Sequence, residues 1–142
     1  MPRTRYKVYC QGQPHFLGST IVNWIPLFTD RDQVEILLAS LRYLHEQGRL
    51  CLHGYVIMEN HFHLVATSPD FKRDMGSLKS YTAKGFLRLL SQKRHVTRLD
   101  EFRWRKLRHK KGQIYQIWQE GYHPQLVTSH QMLAQKLDYI HY

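Results

Sequence analysis

Apolar positions recur along this chain with two periods, and the switches between them outline the fold. Residues 15–24 are rich in Phe, Ile, Val and Trp and read as a first strand, closed by Pro26. Thr29 or Asp30 can cap a helix over residues 31–47, in which Val34, Leu37, Leu38, Leu41, Leu44 and His45 share one face. Gly48 is its expected C-terminal stop. A strand over residues 50–58 follows. Glu59 and Asn60 then turn the chain into His61-Phe62-His63-Leu64-Val65-Ala66-Thr67, so the pair should be an antiparallel hairpin, ended by Pro69. Residues 72–92 read as a helix burying Met75, Leu78, Thr82, Phe86 and Leu89, with Tyr81, Ser77, Lys84 and Arg88 along its flank. Residues 100–111 read as a loop or short ribbon. A strand near residues 122–127 and a helix capped by Ser129, carrying Leu133, Leu137 and Ile140, complete the order.

Strand, helix, strand, strand, helix, strand, helix predicts an α+β fold: an antiparallel sheet with helices on one face and the other face open. The length of 142 residues suits one domain, and a hydrophobic fraction of 42% can fill a core. The formal net charge of +10 leaves the fold undecided but favours a polyanionic partner, nucleic acid first. No apolar run is long enough to span a membrane, the N-terminus lacks a signal-peptide core, and no lipidation motif occurs, so no membrane association is expected. Two cysteines, Cys10 and Cys51, make no disulfide framework and no zinc pattern, which points to a reducing, cytoplasmic setting.

The chemistry concentrates at Met58-Glu59-Asn60-His61-Phe62-His63. Strand side chains alternate faces, so His61 and His63 point the same way, about 7 Å apart at Cβ, while Phe62, Leu64 and Ala66 enter the core. Two imidazoles on one strand face are half of a divalent metal site. Mg²⁺ or Mn²⁺ would take further oxygen ligands, which a phosphate can provide. No HExxH occurs, so the zinc-protease pattern is absent. Tyr81, bordered by Lys84 and Arg88, is placed to meet a phosphate; a phenol needs nearby cations or a metal to act as a nucleophile. Arg103, Arg105, Lys106, Arg108, Lys110 and Lys111, interleaved with Phe102 and Trp104, suit phosphate neutralisation and stacking on unpaired bases. The basic arm of Arg3, Arg5 and Lys7 can add to this. Metal, tyrosine and positive charge together suggest an enzyme that cuts nucleic acid through a covalent tyrosine link.

At these residues the chain resembles the single-tyrosine HUH transposases of the insertion-sequence 200/605 type, and most of all the branch associated with repetitive extragenic palindromes (REP). Met58, Asn60, His61, Phe62 and His63 match the family's Met-x-Asn-His-hydrophobic-His block. Leu78-Lys79-Ser80-Tyr81-Thr82 matches its tyrosine context, Trp118-Gln119 and Tyr122 a later aromatic strand, and Tyr139-Ile140-His141 its closing block. The resemblance implies a ferredoxin-like (RRM-like) core and Mg²⁺- or Mn²⁺-dependent cleavage of single-stranded DNA flanked by hairpins. Tyr81 would be the nucleophile, forming a 5′-phosphotyrosine and a free 3′-hydroxyl, and rejoining would need no nucleotide cofactor. It also implies a homodimer or a monomer, with Tyr81 acting in trans or in cis. The family's third metal ligand, Asn or Gln, stands four residues after the tyrosine, where this chain has Gly85; Glu59, Glu120 or water are the substitutes. The family's Asn-Pro after the closing block is missing, so residues 1–142 are expected to be one transposase domain shortened at its C-terminal end.

Two other readings remain. Gly85 and the short end favour a non-cleaving binder of structured single-stranded DNA. An RRM-type RNA-binding protein would also use an open sheet face. However, His61 and His63 occupy the place of stacking aromatics, and no RNP1 pattern is present.

Overall fold

The structure, a computed structural model, describes residues 12–103 and 115–141, for the last three the backbone only. Its strands are β1 (His15–Thr20), β2 (Cys51–Ile57), β3 (His61–Thr67) and β4 (Gln125–Leu126). Its helices are α1 (Arg31–Glu46), α2 (Phe71–Gln92), α3 (Val96–Glu101) and α4 (His130–His141). The strands form one sheet in the order β2-β3-β1-β4, and every pairing is antiparallel. The fold is α+β with a small antiparallel sheet flanked by helices, consistent with a ferredoxin-like arrangement.

The hairpin forms as its short turn predicts, with Met58 N–H donating to the His61 carbonyl at 2.7 Å. In β3 the alternation holds. Phe62, Leu64 and Ala66 join Leu17 and Ile21 in the core, against Leu37 and Leu41 of α1 and Met75, Leu78 and Phe86 of α2. Leu90, rather than Leu89, is buried at the end of the α2 stripe. Asp30 caps α1 through Asp32 N–H, Asp70 caps α2 through Arg73 N–H, and Ser129 accepts from Met132 N–H at α4. The sequence reading missed α3.

Three expectations change. The first strand stops at Thr20, because Asn23 and Trp24 adopt left-handed backbone (φ 55° and 53°), which no strand continues. The late strand shrinks to two residues, since the chain before it meets β1 irregularly. Gly18 N–H bonds to Tyr122 O, and Gln119 N–H to Thr20 O. The second sheet face is not open. α4 packs on β2 and β3 there, and Val65, which shares that face with the histidines, is 0% exposed. Cys51 is disulfide-bonded, where the sequence reading expected reduced thiols; Cys10 lies outside the described residues. No helix among the described residues is long and apolar enough to cross a membrane.

One buried charge ties the helical layer to the sheet. Asp74, 0% exposed, bonds Arg49 and Arg73, each at 3.1 Å, and accepts from Ser68 Oγ at 2.6 Å. Breaking a fully buried pair costs roughly 3–5 kcal/mol. Both guanidiniums keep some solvent, so Asp74→Ala should cost about 2 kcal/mol, read as a lower urea midpoint with an unchanged slope. A change within about 0.5 kcal/mol would show the cluster to be inessential.

Candidate metal and nucleic-acid site

The two imidazoles lie side by side on β3, ring centroids 5.1 Å apart and planes crossed at 78°. Each is oriented by different means. His61 Nδ1 meets Asn60 Oδ1 at 2.8 Å, while Asn60 Nδ2 donates to the Trp24 carbonyl at 3.2 Å. The second bond fixes which way the amide faces, so its oxygen must accept from His61. His61 therefore has a proton on Nδ1, which leaves Nε2 as the nitrogen a metal would take.

His63 is oriented by its neighbours on β1. It lies directly across from Gly18 and stacks on Phe16, centroids 5.0 Å apart with planes 10° from parallel. A Cβ at Gly18 would lie 2.4 Å from the Phe62 carbonyl oxygen and 2.7 Å from His63 Nδ1. The glycine is thus the floor on which the ring rests. Burial, followed by the charges of His61 and Lys136, lowers the His63 pKa below the usual imidazole range. It therefore stays neutral, the form that ligates metal, to lower pH than a free imidazole. Lys136 of α4 sits over the other ring of this stack, its Nζ 4.6 Å from the Phe16 centroid.

These donors fit a divalent cation in part. Two imidazoles are present, but among the described residues no group of three or more His, Cys, Asp or Glu converges on them, so Glu59 and Glu120 complete no cluster.

Tyr81 is not brought to the histidines. α2 packs on the Phe62 side of the sheet, and Tyr81, 71% exposed, lines a cleft of about 560 Å³ with Tyr43, Arg49 and Ser77 on the far side from His61 and His63. Lys84 and Arg88 are exposed on the same helix. The sequence context of Tyr81 has a structural use instead. Lys79 Nζ donates to the carbonyls of Gln119, at 2.9 Å, and Gly121, and Thr82 Oγ1 accepts from the Trp118 indole at 3.0 Å. The block pins residues 118–121 beside β1. Gly85 likewise serves packing, since a Cβ there would lie 2.9 Å from Ile36 Cγ2 of α1. Arg103 is exposed beside a bridge to Tyr115; Trp104, Arg105, Lys106, Arg108, Lys110 and Lys111 lie outside the described residues.

No protein-family model matches the chain, and no curated protein sequence matches it. Among solved structures, a REP-associated tyrosine transposase bound to a REP hairpin aligns with TM-score 0.62 and 16% identity, over 91% of this chain and 64% of that one. The likeness is one of fold. A putative transposase from Deinococcus radiodurans agrees, with TM-score 0.53 and 21% identity over 90% of this chain and 88% of that one. The chain spans 64% of the length of the hairpin-bound transposase. Within this fold, sequence reasoning passed over Gly18, Phe16 and Lys136. A glycine inside a strand was the available signal, since it marks a close approach.

Proposed function

We propose that this chain is a metal-dependent endonuclease and strand transferase acting on single-stranded DNA through a 5′-phosphotyrosine. The observation that carries the proposal is the pair of oriented imidazoles on a sheet face crossed by a helix, α4, that bears a lysine and a tyrosine. His61 and His63 would hold Mg²⁺ or Mn²⁺, which when bound would polarise the scissile phosphate. Lys136 offers positive charge to the same phosphate. Tyr139 follows Lys136 by about one helical turn on α4 and is the nucleophile in this reading. Its oxygen bonds to phosphorus, the bond to the 3′ oxygen breaks, and that oxygen leaves as a 3′-hydroxyl after taking up a proton. Tyr81 belongs to the reaction only if a second copy delivers it. The hairpin in the similar transposase supports a substrate of folded single strands, and the net charge of +10 supports the polyanion.

The test is incubation with Mn²⁺ and labelled single-stranded DNA carrying a hairpin, followed by a denaturing protein gel. A labelled band that vanishes with EDTA and in His61→Ala is expected. That no third His, Cys, Asp or Glu groups with the two histidines among the described residues favours a second reading, a binder that does not cut. Salt-dependent binding without any covalent band would establish that one instead.

A further inference from the structure

Trp24 stands 67% exposed directly beside the histidine turn, in a backbone conformation that L-residues seldom adopt. Its neighbours Ile21 and Ile25 are buried, so the core is filled without it. Asn23 and Trp24, at φ 55° and 53°, turn the chain outward between them. Left-handed backbone is tolerated by Asn but unfavourable for a bulky aromatic, and such outliers concentrate at functional sites. The conformation is held from both ends. Trp24 N–H donates to Ile21 O at 3.0 Å, and Trp24 O accepts from Asn60 Nδ2 at 3.2 Å. Asn60 is also the residue that orients His61. The tryptophan and the first imidazole are therefore positioned by one shared amide.

We propose that Trp24 is a stacking platform for an unpaired nucleobase of the DNA strand that crosses the histidine site. This rests on the proposed nuclease reading and adds to it a base-binding subsite. The occupant follows from the chemistry. A flat apolar ring presented to solvent on a chain of net charge +10 suits a group that carries both a π-face and an adjoining phosphate. Stacking is indifferent to base identity, so this subsite would bind without sequence preference.

The test uses the full chain in EDTA, so that binding is read apart from cleavage. The probes are fluorescent oligothymidylate of about 20 nucleotides and an abasic strand of equal length and charge. Wild type should prefer the strand with bases, and Trp24→Ala should lose about tenfold of that preference while its affinity for the abasic strand stays the same. Trp24→Phe should keep most of the preference. Trp24→Gly, which relieves the backbone, should melt no lower than wild type and still lose the preference. Equal losses on both strands, or none, would overturn the platform and leave the nuclease reading intact. No binding of either strand by wild type would overturn the platform, while the gel with Mn²⁺ and the hairpin strand decides the nuclease reading separately.

Discussion

Gly18→Ala should lower metal-dependent cleavage by about 100-fold, although it adds one methyl group to a strand and removes no ligand. The new carbon has nowhere to go. Its ideal position is 2.4 Å from a backbone oxygen of β3 and 2.7 Å from His63 Nδ1. The strands must separate, or the imidazole must leave its stack on Phe16. Either movement approaches 1 Å, enough to misalign a reacting phosphate by the factor given. Crowding should also cost about 1–3 kcal/mol of stability, so the variant is expected to fold and to melt earlier. Folding loss and site loss are separated by titrating Mn²⁺ well below the melting temperature. Weakened Mn²⁺ affinity in folded protein supports the argument, with His63→Ala as the reference for complete loss. Wild-type affinity together with a wild-type rate would mean that His63 does not need its glycine floor.

The periodic parts of this molecule were legible in its sequence because burial alone dictates them. Leu37, Leu41 and Leu44 on α1, and Met75, Leu78, Thr82 and Phe86 on α2, recur at the helical period and are buried as that period requires. Strict alternation in β3 likewise put His61 and His63 on one face, opposite Phe62 and Leu64. What could not be read depends on contacts between distant residues. A strand rich in Ile, Val and Trp looks continuous to residue 24, because nothing in its composition announces positive φ at Asn23 and Trp24. Gly85 read as a missing ligand, since its reason for being glycine is Ile36 on another helix. Amphipathic spacing shows that α4 has an apolar side but is silent on which face of the sheet receives it. That silence matters most, because the face covered by α4 decides which helix accompanies the histidines.

Tyr139→Phe should abolish the covalent DNA adduct, whereas Tyr81→Phe should leave it within about twofold. Loss of a nucleophile has no partial substitute in this chemistry, because phenylalanine offers no oxygen to phosphorus. A decrease of about 1,000-fold or more is therefore expected for Tyr139→Phe, against a background set by uncatalysed cleavage. The asymmetry follows from layers. α2 and Tyr81 lie across the sheet from His61 and His63, while α4 crosses their face with Lys136 beside the Phe16–His63 stack. Because Tyr81 is 71% exposed, its loss should also leave the melting temperature nearly unchanged, so a lost adduct in that variant could not be attributed to altered folding. The opposite pattern would have its own meaning. Loss of the adduct in Tyr81→Phe but not in Tyr139→Phe requires a second copy to deliver α2 to the histidines. Mixing Tyr81→Phe with His61→Ala would then restore the adduct, since each chain supplies what the other lacks. With Tyr139 acting within one chain, mixing Tyr139→Phe with His61→Ala restores nothing. The two mixtures therefore separate a nucleophile on α4 from one brought by a partner, using the same gel and the same strand.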